Sequence, residues 1–434
     1  MHVCIIGGGI SGISNAIHLK KCGYKVSLFE KYSSLGGIWV NGIANKNSNL
    51  QTPSLFYYFD FKARWKNRYP DRSEIHKQII RVCEKLDEED IHLNTTVKSL
   101  DLTEEGKVVI KTDSHEYPPF DGCIVATGLH QKDNFLELER LESSQHGTYI
   151  PFSGIDKIAS WTNKKVVIVG LGASAVEAFL TVIKENPKHI VITSTNPRWV
   201  FPNNRLYFII SCFPYGKPGQ FVDRWVGHRL QRYYRKNKLE QIMPATTPAA
   251  TGPGSISKQF FKICQKNRPE FILNDKIASY ANGNIKFTSG RQIENVDVLI
   301  SCTGWKKIDF SFIRHEGLSQ AIEKSMVDGY LYLHEFVPGY NSVVFSNYKS
   351  GLGYTGFAPY ISSILLQNYL EQKDLFPSTK EQSMWVEAEK IKWKGTPHHF
   401  QYINMFESVK CNAKFLSDPA RGRWFLEKFK AMLR

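Results

Sequence analysis

Apolar residues in the first thirty positions form two short runs separated by a stretch with helical spacing. The runs cover Val3–Ile6 and Lys25–Phe29, and a glycine-rich turn follows the first of them. Short apolar runs bounded by turn residues are typical of strands buried on both faces of a parallel sheet, which crossover helices connect. The pattern therefore predicts a β-α-β unit at the start of the chain.

Each glycine of the first turn, Gly7-x-Gly9-x-x-Gly12, has a separate physical task. Gly7 permits the tight turn, Gly9 lets the backbone approach a pyrophosphate, and Gly12 brings the helix against the strand. Phosphates then lie at the helix N-terminus, where N–H groups and the helix dipole favour anions. Glu30 follows the second strand, where a carboxylate accepts hydrogen bonds from an adenosine ribose. These residues predict a dinucleotide site.

The same order of strand, glycine-rich turn, helix and strand recurs at 165–194. The turn runs from Gly170 through Gly172 to Ala175, and the fingerprint tolerates alanine in the third place. No carboxylate ends the second strand, where it would repel the 2′-phosphate of NADPH. Hydroxyls and a guanidinium follow instead, at Ser194, Thr195 and Arg198. We therefore predict a second dinucleotide site that prefers NADPH to NADH.

Each half of the chain then repeats an acidic residue, an apolar run and a Thr-Gly turn, at 121–128 and 297–304. This repetition indicates a duplicated architecture in which the chain crosses between domains at the two turns. We predict an α/β fold of two Rossmann-like, three-layer dinucleotide-binding domains, the second inserted into the first. The first domain is expected to cover 1–150 and 303–434. The second is expected to cover 151–302, with an irregular, aromatic-rich insertion at about 199–251.

Composition narrows the classes of function. The eight cysteines are scattered without a Cys-x-x-Cys pair, which argues against a zinc site and against a redox-active disulfide. Adjacent side chains diverge at His398-His399 and no third ligand is nearby, so no metal site is expected. The formal net charge of +15 is spread along the chain. Its densest stretch, Arg224–Lys238, predicts a basic helix with a solvated face rather than a nucleic-acid site.

Hydropathy leads us to expect a cytoplasmic protein without a transmembrane segment. No apolar run reaches the roughly 18 residues that a membrane-spanning helix needs. The first strand begins at Val3, which leaves no space for a secretory signal ahead of it. The oligomeric state stays open, a homodimer included.

Five further motifs run through the chain: Gly36-Gly37-Ile38-Trp39, Leu50-Gln51-Thr52-Pro53 followed by Phe59-Asp60-Phe61, Ala126-Thr127-Gly128, Gly170-Leu-Gly172-Ala173-Ser174-Ala175, and Cys302-Thr303-Gly304-Trp305. Together they resemble the flavin-containing monooxygenases and, more distantly, the Baeyer–Villiger monooxygenases. The resemblance covers nearly the whole chain. It implies FAD in the first domain and NADPH in the second, with O₂ and a small molecule as substrates.

The resemblance also implies which residues contact the cofactors. Those expected are Gly7, Gly9, Gly12, Glu30, Gly37, Ile38, Trp39, Gln51, Val97, Thr127, Gly128, Gly170, Gly172, Ala173, Ser174, Ala175, Ser194, Thr195, Arg198, Thr303, Gly304, Gly353 and Thr355. The last two belong to a glycine-rich turn that either faces the flavin or only precedes a packing helix. Gln51 and Thr52 are the catalytic candidates, because an amide over the flavin can hydrogen-bond NADP⁺ or the oxygen intermediate. The alternative is a polar turn that completes a loop.

The reaction that the resemblance implies begins with reduction of FAD by NADPH. Addition of O₂ at the flavin C4a carbon then gives a peroxyflavin that oxygenates a nitrogen or sulfur atom. Three alternatives stay open. A single-component halogenase would use the same peroxyflavin and a lysine, for which Lys62, Lys66, Lys217 and Lys349 are candidates. A Baeyer–Villiger enzyme would need an arginine near the flavin, and a flavin-binding protein without catalysis would need neither.

The chain departs from the family in the fingerprint ahead of the NADPH motif. Phe152-Ser-Gly154 begins the fingerprint, but Ile158 stands in place of its histidine and Thr162 in place of its aromatic residue. His146 and Trp161 lie nearby in sequence and are the candidates to replace them.

Overall fold

The structure is a computed structural model that describes residues 1–41, 43–51, 54, 57, 65–136, 147–202, 217–244, 254–328, 330–348 and 354–392. At 217–220, 327, 328, 354–360, 375 and 392 the backbone alone is described. Within this part of the chain, no helix is both long and apolar enough to cross a membrane.

Short apolar runs form the strands, as their spacing predicts. In chain order the strands are β1 (His2–Ile6), β2 (Lys25–Phe29), β3 (Ile91–His92), β4 (Val97–Leu102), β5 (Val108–Thr112), β6 (Gly122–Val125), β7 (Thr148–Pro151), β8 (Lys165–Val169), β9 (His189–Ser194), β10 (Val200–Phe201), β11 (Ser255–Ile256), β12 (Glu270–Leu273), β13 (Ile277–Ala281), β14 (Asn284–Phe287), β15 (Gln292–Ile293), β16 (Val298–Ser301) and β17 (Val343–Phe345).

Helices lie between the strands and after the last of them. The α-helices are α1 (Ile10–Lys21), α2 (Arg72–Cys83), α3 (Ala173–Val182), α4 (Lys217–Lys236), α5 (Lys258–Asn267), α6 (Glu316–Asp328), α7 (Tyr354–Glu371) and α8 (Thr379–Lys392). Polar side chains cap several of them at the N-terminus; for example, Asp71 accepts the Glu74 N–H at 2.8 Å before α2, and Ser257 accepts the Phe260 N–H at 3.1 Å before α5.

The chain divides into two compact units. The first comprises 1–41, 52–129 and 307–434, and the second comprises 42–51 and 130–306. The second unit is thus inserted in the sequence of the first, and a ten-residue piece from the N-terminal region belongs to it.

The first unit is built on a parallel sheet with the strand order β17-β6-β1-β2-β3. The central strand β1 pairs Val3 with Val26 on one side and with Gly122 on the other. Its residues 3–6 are all buried, because a parallel sheet is covered on both faces. A hairpin of β4 and β5 adds Leu100 and Ile110 to the same core, both 0% exposed.

The second unit repeats this plan, with a parallel sheet in the order β12-β9-β8-β16-β7. Strand β8, which leads into the second glycine-rich turn, again lies at the centre between two parallel neighbours. An antiparallel meander, β13-β14-β15, packs Tyr280, Ile285 and Phe287 into the core of this unit. The predicted α/β class with two Rossmann-like units is confirmed.

The domain boundaries lie at other residues than the sequence predicts. Strand β7 falls inside the expected first domain, but it pairs in parallel with β16 and so belongs to the second unit. The first boundary therefore lies at 129/130 and the last at 306/307 instead of 150/151 and 302/303. Residues 42–51 also differ from the prediction: they were expected in the first domain, but their contacts place them in the second unit.

The insertion expected to be irregular at about 199–251 contains the 20-residue helix α4. This helix is hard to predict from the sequence because it contains proline and glycine, which disfavour helix interiors, at Pro218, Gly219 and Gly227. Its buried side chains recur at helical spacing, with Val226, Leu230 and Tyr234 all 0% exposed. The described part of the insertion is therefore ordered by one apolar helix face, while 203–216 and 245–251 lie outside the described residues.

Candidate dinucleotide-binding sites

The first glycine-rich turn is held in a shape that only glycine adopts without strain. Gly7 has φ +107°, and a Cβ atom there would lie 2.5 Å from the carbonyl oxygen of Ala126. The Gly7 N–H donates to the Phe29 carbonyl at 2.8 Å, which fixes the turn against β2. At Gly12 a Cβ would lie 1.9 Å from the Gly7 carbonyl oxygen. Both predicted packing roles are therefore visible in the geometry.

Gly9 differs from these two glycines because space is open beside it. It is the N-cap of α1, and among the described residues no side chain caps the helix there. The nearest described atom to a Cβ at Gly9 would be the Gly37 Cα, at 3.8 Å. An uncapped helix N-terminus with an open approach to its backbone is the arrangement that binds a pyrophosphate. The residues present therefore fit a dinucleotide.

Glu30 holds the turn through its carboxylate. The side chain is 5% exposed, and its Oε2 atom accepts the Gly8 N–H at 2.7 Å while Oε1 accepts the Tyr32 N–H at 2.9 Å. These two hydrogen bonds from backbone N–H groups hold the carboxylate in place. Each carboxylate oxygen has a second lone pair, which leaves capacity for a ribose hydroxyl. The same residue can therefore shape the turn and accept a hydrogen bond from a ribose.

The Gly36-Gly37-Ile38-Trp39 motif forms a short 3₁₀ turn beside the first glycine-rich turn. The Gly36 N–H donates to the Gly8 carbonyl at 2.8 Å. Trp39 is buried, its indole N–H donates to the Tyr57 hydroxyl, and its carbonyl accepts Arg72 Nε at 2.9 Å. Tyr57 and Arg72 are residues that sequence reasoning missed, since neither stands in a recognisable motif.

The first Thr-Gly turn is fastened by a buried tyrosine. The Thr127 hydroxyl lies 2.6 Å from the Tyr348 hydroxyl, which also accepts the Thr127 N–H at 3.3 Å. Burial raises the pKa of Tyr348 above its usual range, so the phenol stays protonated. Tyr348 follows β17 and had no sequence signal beyond its aromatic ring. Val97, also expected at the cofactor, places its side chain in the hydrophobic core of the first unit.

The second glycine-rich turn has the same division of roles. Gly170 has φ +117°, its N–H donates to the Thr193 carbonyl at 2.7 Å, and a Cβ there would lie 2.4 Å from the Cys302 carbonyl oxygen. Gly172 is the N-cap of α3, again without a side-chain cap among the described residues. No described atom lies within 4 Å of the position a Cβ at Gly172 would take. This turn also fits a dinucleotide pyrophosphate.

The residues around the second turn occupy different environments. Ala175 packs inside at 1% exposed, whereas Ala173 is exposed and Ser174 is half-buried. At the end of β9, Ser194 is buried and its carbonyl accepts the Asn274 N–H at 2.8 Å. Thr195 and Arg198 are exposed. The guanidinium is therefore accessible to an anion just beyond the strand end.

The second Thr-Gly turn is fastened by main-chain contacts. The Thr303 hydroxyl donates to the Asn134 carbonyl, and the Asn134 N–H donates to the Gly304 carbonyl at 2.9 Å. Gly304 has φ +95°, which favours glycine. Both Thr-Gly turns thus bond to residues distant in sequence, although through different partners.

Gln51, the first catalytic candidate, lies in the second unit, and its amide oxygen accepts the Ile256 N–H at 3.2 Å. The other catalytic candidate, Thr52, lies outside the described residues, as do Gly353, His146, Lys62 and Lys349. For Thr355 and Lys217 only the helical backbone is described, and Lys66 is exposed.

Trp161 is a core residue at 1% exposed, and its backbone N–H donates to the Glu185 carboxylate at 3.1 Å. Trp161 is therefore held within the packed interior of the second unit. Across the described residues, no group of three or more His, Cys, Asp or Glu side chains is arranged to hold a metal ion.

Comparison with known families gives a match to the pyridine nucleotide-disulphide oxidoreductase model over residues 1–203. Two curated relatives match over long stretches. "Dimethylaniline monooxygenase [N-oxide-forming] 2" of Cavia porcellus is 25% identical over 76% of this chain and 66% of its own length. "4-hydroxybenzoate brominase (decarboxylating)" of Marinomonas mediterranea is 24% identical over 96% of this chain and 86% of its own length.

A shorter match is to "2-oxo-Delta(3)-4,5,5-trimethylcyclopentenylacetyl-CoA monooxygenase" of Pseudomonas putida, 24% identical over 46% of this chain. The chain spans between 30% and 38% of the length of this relative and of three other monooxygenases that it matches.

Solved structures with the same fold include OTEMO in complex with FAD and NADP. Its TM-score is 0.77 at 16% identity, with 92% of this chain and 90% of the other covered. Oxidised steroid monooxygenase bound to NADP also has a TM-score of 0.77, at 15% identity, with 100% and 99% covered. By sequence the chain is similar to enzymes named as monooxygenases and to a brominase, and its fold is that of OTEMO solved with FAD and NADP and of steroid monooxygenase bound to NADP.

Proposed function

We propose that this chain binds FAD at the first glycine-rich turn and NADPH at the second, and consumes O₂ to oxygenate a small organic substrate. The observation that carries the proposal is the pair of uncapped helix N-termini, at Gly9 and Gly172, each open on the side where a pyrophosphate approaches. A flavin reduced by NADPH supplies the oxygen activation itself, so the protein needs no acid–base triad or metal.

The chain's own residues bind and orient the two cofactors. Backbone N–H groups at the N-termini of α1 and α3 would hold the phosphates, while Glu30 holds the first turn in shape through Gly8 and Tyr32. Arg198, exposed beyond β9, offers a cation to the 2′-phosphate. The preference for NADPH follows from this guanidinium and from the absence of an acid at the end of β9 in the sequence.

For the oxygenated atom we propose a nitrogen or sulfur. The motif resemblance to flavin-containing monooxygenases supports this choice, as does the long match to a relative named for N-oxide formation. Cyclic ketones are the competing substrates, because cyclopentanone 1,2-monooxygenase of a Comamonas strain is also similar, at 25% identity over 41% of this chain.

Halogenation is a second candidate function. It is favoured by one observation: the brominase match extends over 96% of this chain and 86% of the relative, which is more of both chains than in the other curated matches described above. In this second proposal the same activated oxygen acts on bromide instead of on a nitrogen or sulfur atom.

One experiment separates these functions. Purified protein is first tested for bound FAD, and then for substrate-stimulated NADPH consumption with an amine, a thioether, a cyclic ketone, and 4-hydroxybenzoate with and without bromide. Product masses are then measured. An N- or S-oxide supports the proposal, a lactone shifts the assignment to ketone oxygenation, and a brominated product that requires bromide supports the second candidate. Folded protein that retains no FAD, even when FAD is supplied, would refute all of them.

A further inference from the structure

Residues 43–51 form a segment that we call the strap. The chain before residue 42 and after residue 51 belongs to the first unit, whereas the strap belongs to the second. Gln51, the candidate catalytic amide, is its last residue. Contacts that fix the strap on the second unit therefore also fix the position of Gln51.

One carboxylate holds the centre of the strap. Oε1 of Glu177 accepts Asn45 Nδ2 at 2.8 Å and also accepts the Ser48 hydroxyl. Asn45 and Ser48 are 3% and 2% exposed, so these hydrogen bonds are shielded from water. Losing the acceptor would leave two buried donors unsatisfied, which costs more than losing exposed hydrogen bonds.

The strap is closed on itself around this contact. The Asn45 N–H donates to the Ser48 hydroxyl at 2.8 Å, the Asn47 N–H donates to the Asn45 amide oxygen at 2.8 Å, and the Ser48 N–H donates to the Asn45 carbonyl at 2.9 Å. Asn45 and Ser48 therefore cannot turn toward Glu177 independently. Removal of the carboxylate is expected to loosen the whole turn.

The outer contacts of the strap are exposed. The Lys46 N–H donates to Asp156 at 2.9 Å, Lys46 Nζ lies 3.6 Å from Glu185, and Lys184 Nζ donates to Asn47 at 3.1 Å. Exposed ion pairs and lysine contacts contribute little to stability. The buried carboxylate is therefore the dominant attachment at the centre, with the Gln51–Ile256 hydrogen bond at the end.

Glu177 also connects the strap to the second dinucleotide site. It lies on α3, the helix whose N-terminus opens at Gly172, and a rigid helix fixes the distance between the two. We propose that Glu177 is a positioning residue that clamps the strap to α3, and so holds Gln51 in a set place relative to the helix that receives NADPH. The clamp is independent of catalysis, whereas its effect on Gln51 rests on the proposed function.

The test compares Glu177→Ala, which removes the acceptor, with Glu177→Gln, which keeps Oε1 and removes the charge. Amide hydrogen exchange of strap residues, followed by mass spectrometry on the full chain without added NADPH, is the first readout. We expect exchange about ten- to thirtyfold faster in Glu177→Ala, in line with two lost hydrogen bonds. Glu177→Gln should restore exchange to near the wild-type rate. Lys184→Ala, which removes only an exposed contact, is the matched control and should leave it unchanged.

The second readout is the share of consumed NADPH that ends as hydrogen peroxide. If the strap positions Gln51, both Glu177→Ala and Gln51→Ala should raise this share, and Glu177→Gln should not. Unchanged strap exchange in Glu177→Ala, with the β8 peptides also unchanged, would overturn the clamp. Faster exchange with an unchanged peroxide share would overturn the positioning of Gln51. A wild-type protein that consumes no NADPH would instead refute the proposed function while the exchange result still decides the clamp.

If Glu177→Ala does not fold, the double variant Asn45→Ala/Ser48→Ala removes the donors instead of the acceptor. It leaves α3 intact and should show the same acceleration of exchange in the strap. Wild-type exchange in this variant would overturn the clamp as well.

Discussion

Gly170 and Gly172 lie two residues apart in one turn, yet the structure predicts opposite consequences for the same substitution to alanine. At Gly170, φ is +117° and a new Cβ would lie 2.4 Å from the main-chain oxygen of Cys302. The backbone strain costs about 1–3 kcal/mol, and relieving the overlap costs a similar amount. Gly170→Ala should therefore destabilise the fold by about 3 kcal/mol or more, or roughly 6–12 °C in Tm for a unit of this size.

At Gly172, φ is −93°, which alanine adopts freely, and no described atom lies within 4 Å of a new Cβ. Replacing glycine by alanine at an N-cap costs at most about 1 kcal/mol. The added methyl group would instead occupy the space through which a pyrophosphate reaches the backbone. Gly172→Ala should keep its Tm within a few degrees of wild type and raise the Kd for NADPH at least about tenfold, which is about 1.4 kcal/mol.

The assay is thermal unfolding of both variants without NADPH, followed by NADPH titration of each variant that folds. The wild-type protein and Lys184→Ala, a change at an exposed position just after α3, serve as references. Wild-type affinity in Gly172→Ala would refute the assignment of this helix N-terminus to the pyrophosphate. Wild-type Tm in Gly170→Ala would refute the steric argument for the turn.

Three further outcomes are expected. Gly9→Ala, whose methyl would lie 3.8 Å from the Gly37 Cα, should fold and lose most of its FAD; full FAD occupancy measured by absorbance would contradict the first site. Arg198→Ala should raise KM for NADPH at least about tenfold and leave KM for NADH nearly unchanged in steady-state assays, since only NADPH carries the 2′-phosphate; equal changes for both would contradict that contact. Burial, with a smaller contribution from Asp156, raises the pKa of Glu177 to about 7 against the hydrogen bonds from Ser48 and Asn45. The fold therefore favours the protonated Glu177 carboxyl group, and this stability is fully present below about pH 4.5 and lost as the pH rises through 7. Glu177→Gln cannot ionise, so its free energy of unfolding should exceed that of wild type by an amount that grows from about 1 to about 3 kcal/mol between pH 5 and pH 8, measured by denaturant unfolding.

The two glycine-rich turns could be predicted because their chemistry is local. Spacing alone separates Gly7 and Gly12, which pack against backbone, from Gly9, which leaves space for a ligand. Glu30 was also correctly placed at the end of β2. Its bonds to the Gly8 and Tyr32 N–H groups were not foreseen, because they depend on how the turn folds back over the strand.

The strap could not be predicted, because its attachment is non-local. Asn45 and Ser48 look like ordinary loop residues, and Glu177 lies 132 and 129 positions away from them. The same holds for Tyr348, whose hydroxyl meets Thr127 across 221 positions. Strand β7 was assigned to the first domain for a similar reason, since only its pairing with β16 shows which sheet it joins.

The order of strands in the first sheet has a consequence for synthesis on the ribosome. Its outer strand β17 pairs with β6, but residues 130–306, which make up all of the second unit apart from 42–51, are translated between these two strands. At about 5–20 residues per second, the roughly 200 intervening residues take about 10–40 s to appear. The second sheet, in contrast, has all its strands between Thr148 and Ser301. The strands of the first sheet made before residue 126 therefore keep an open edge at β6 while the second sheet forms. Nascent chains stalled in this interval should be the ones most prone to edge-to-edge aggregation.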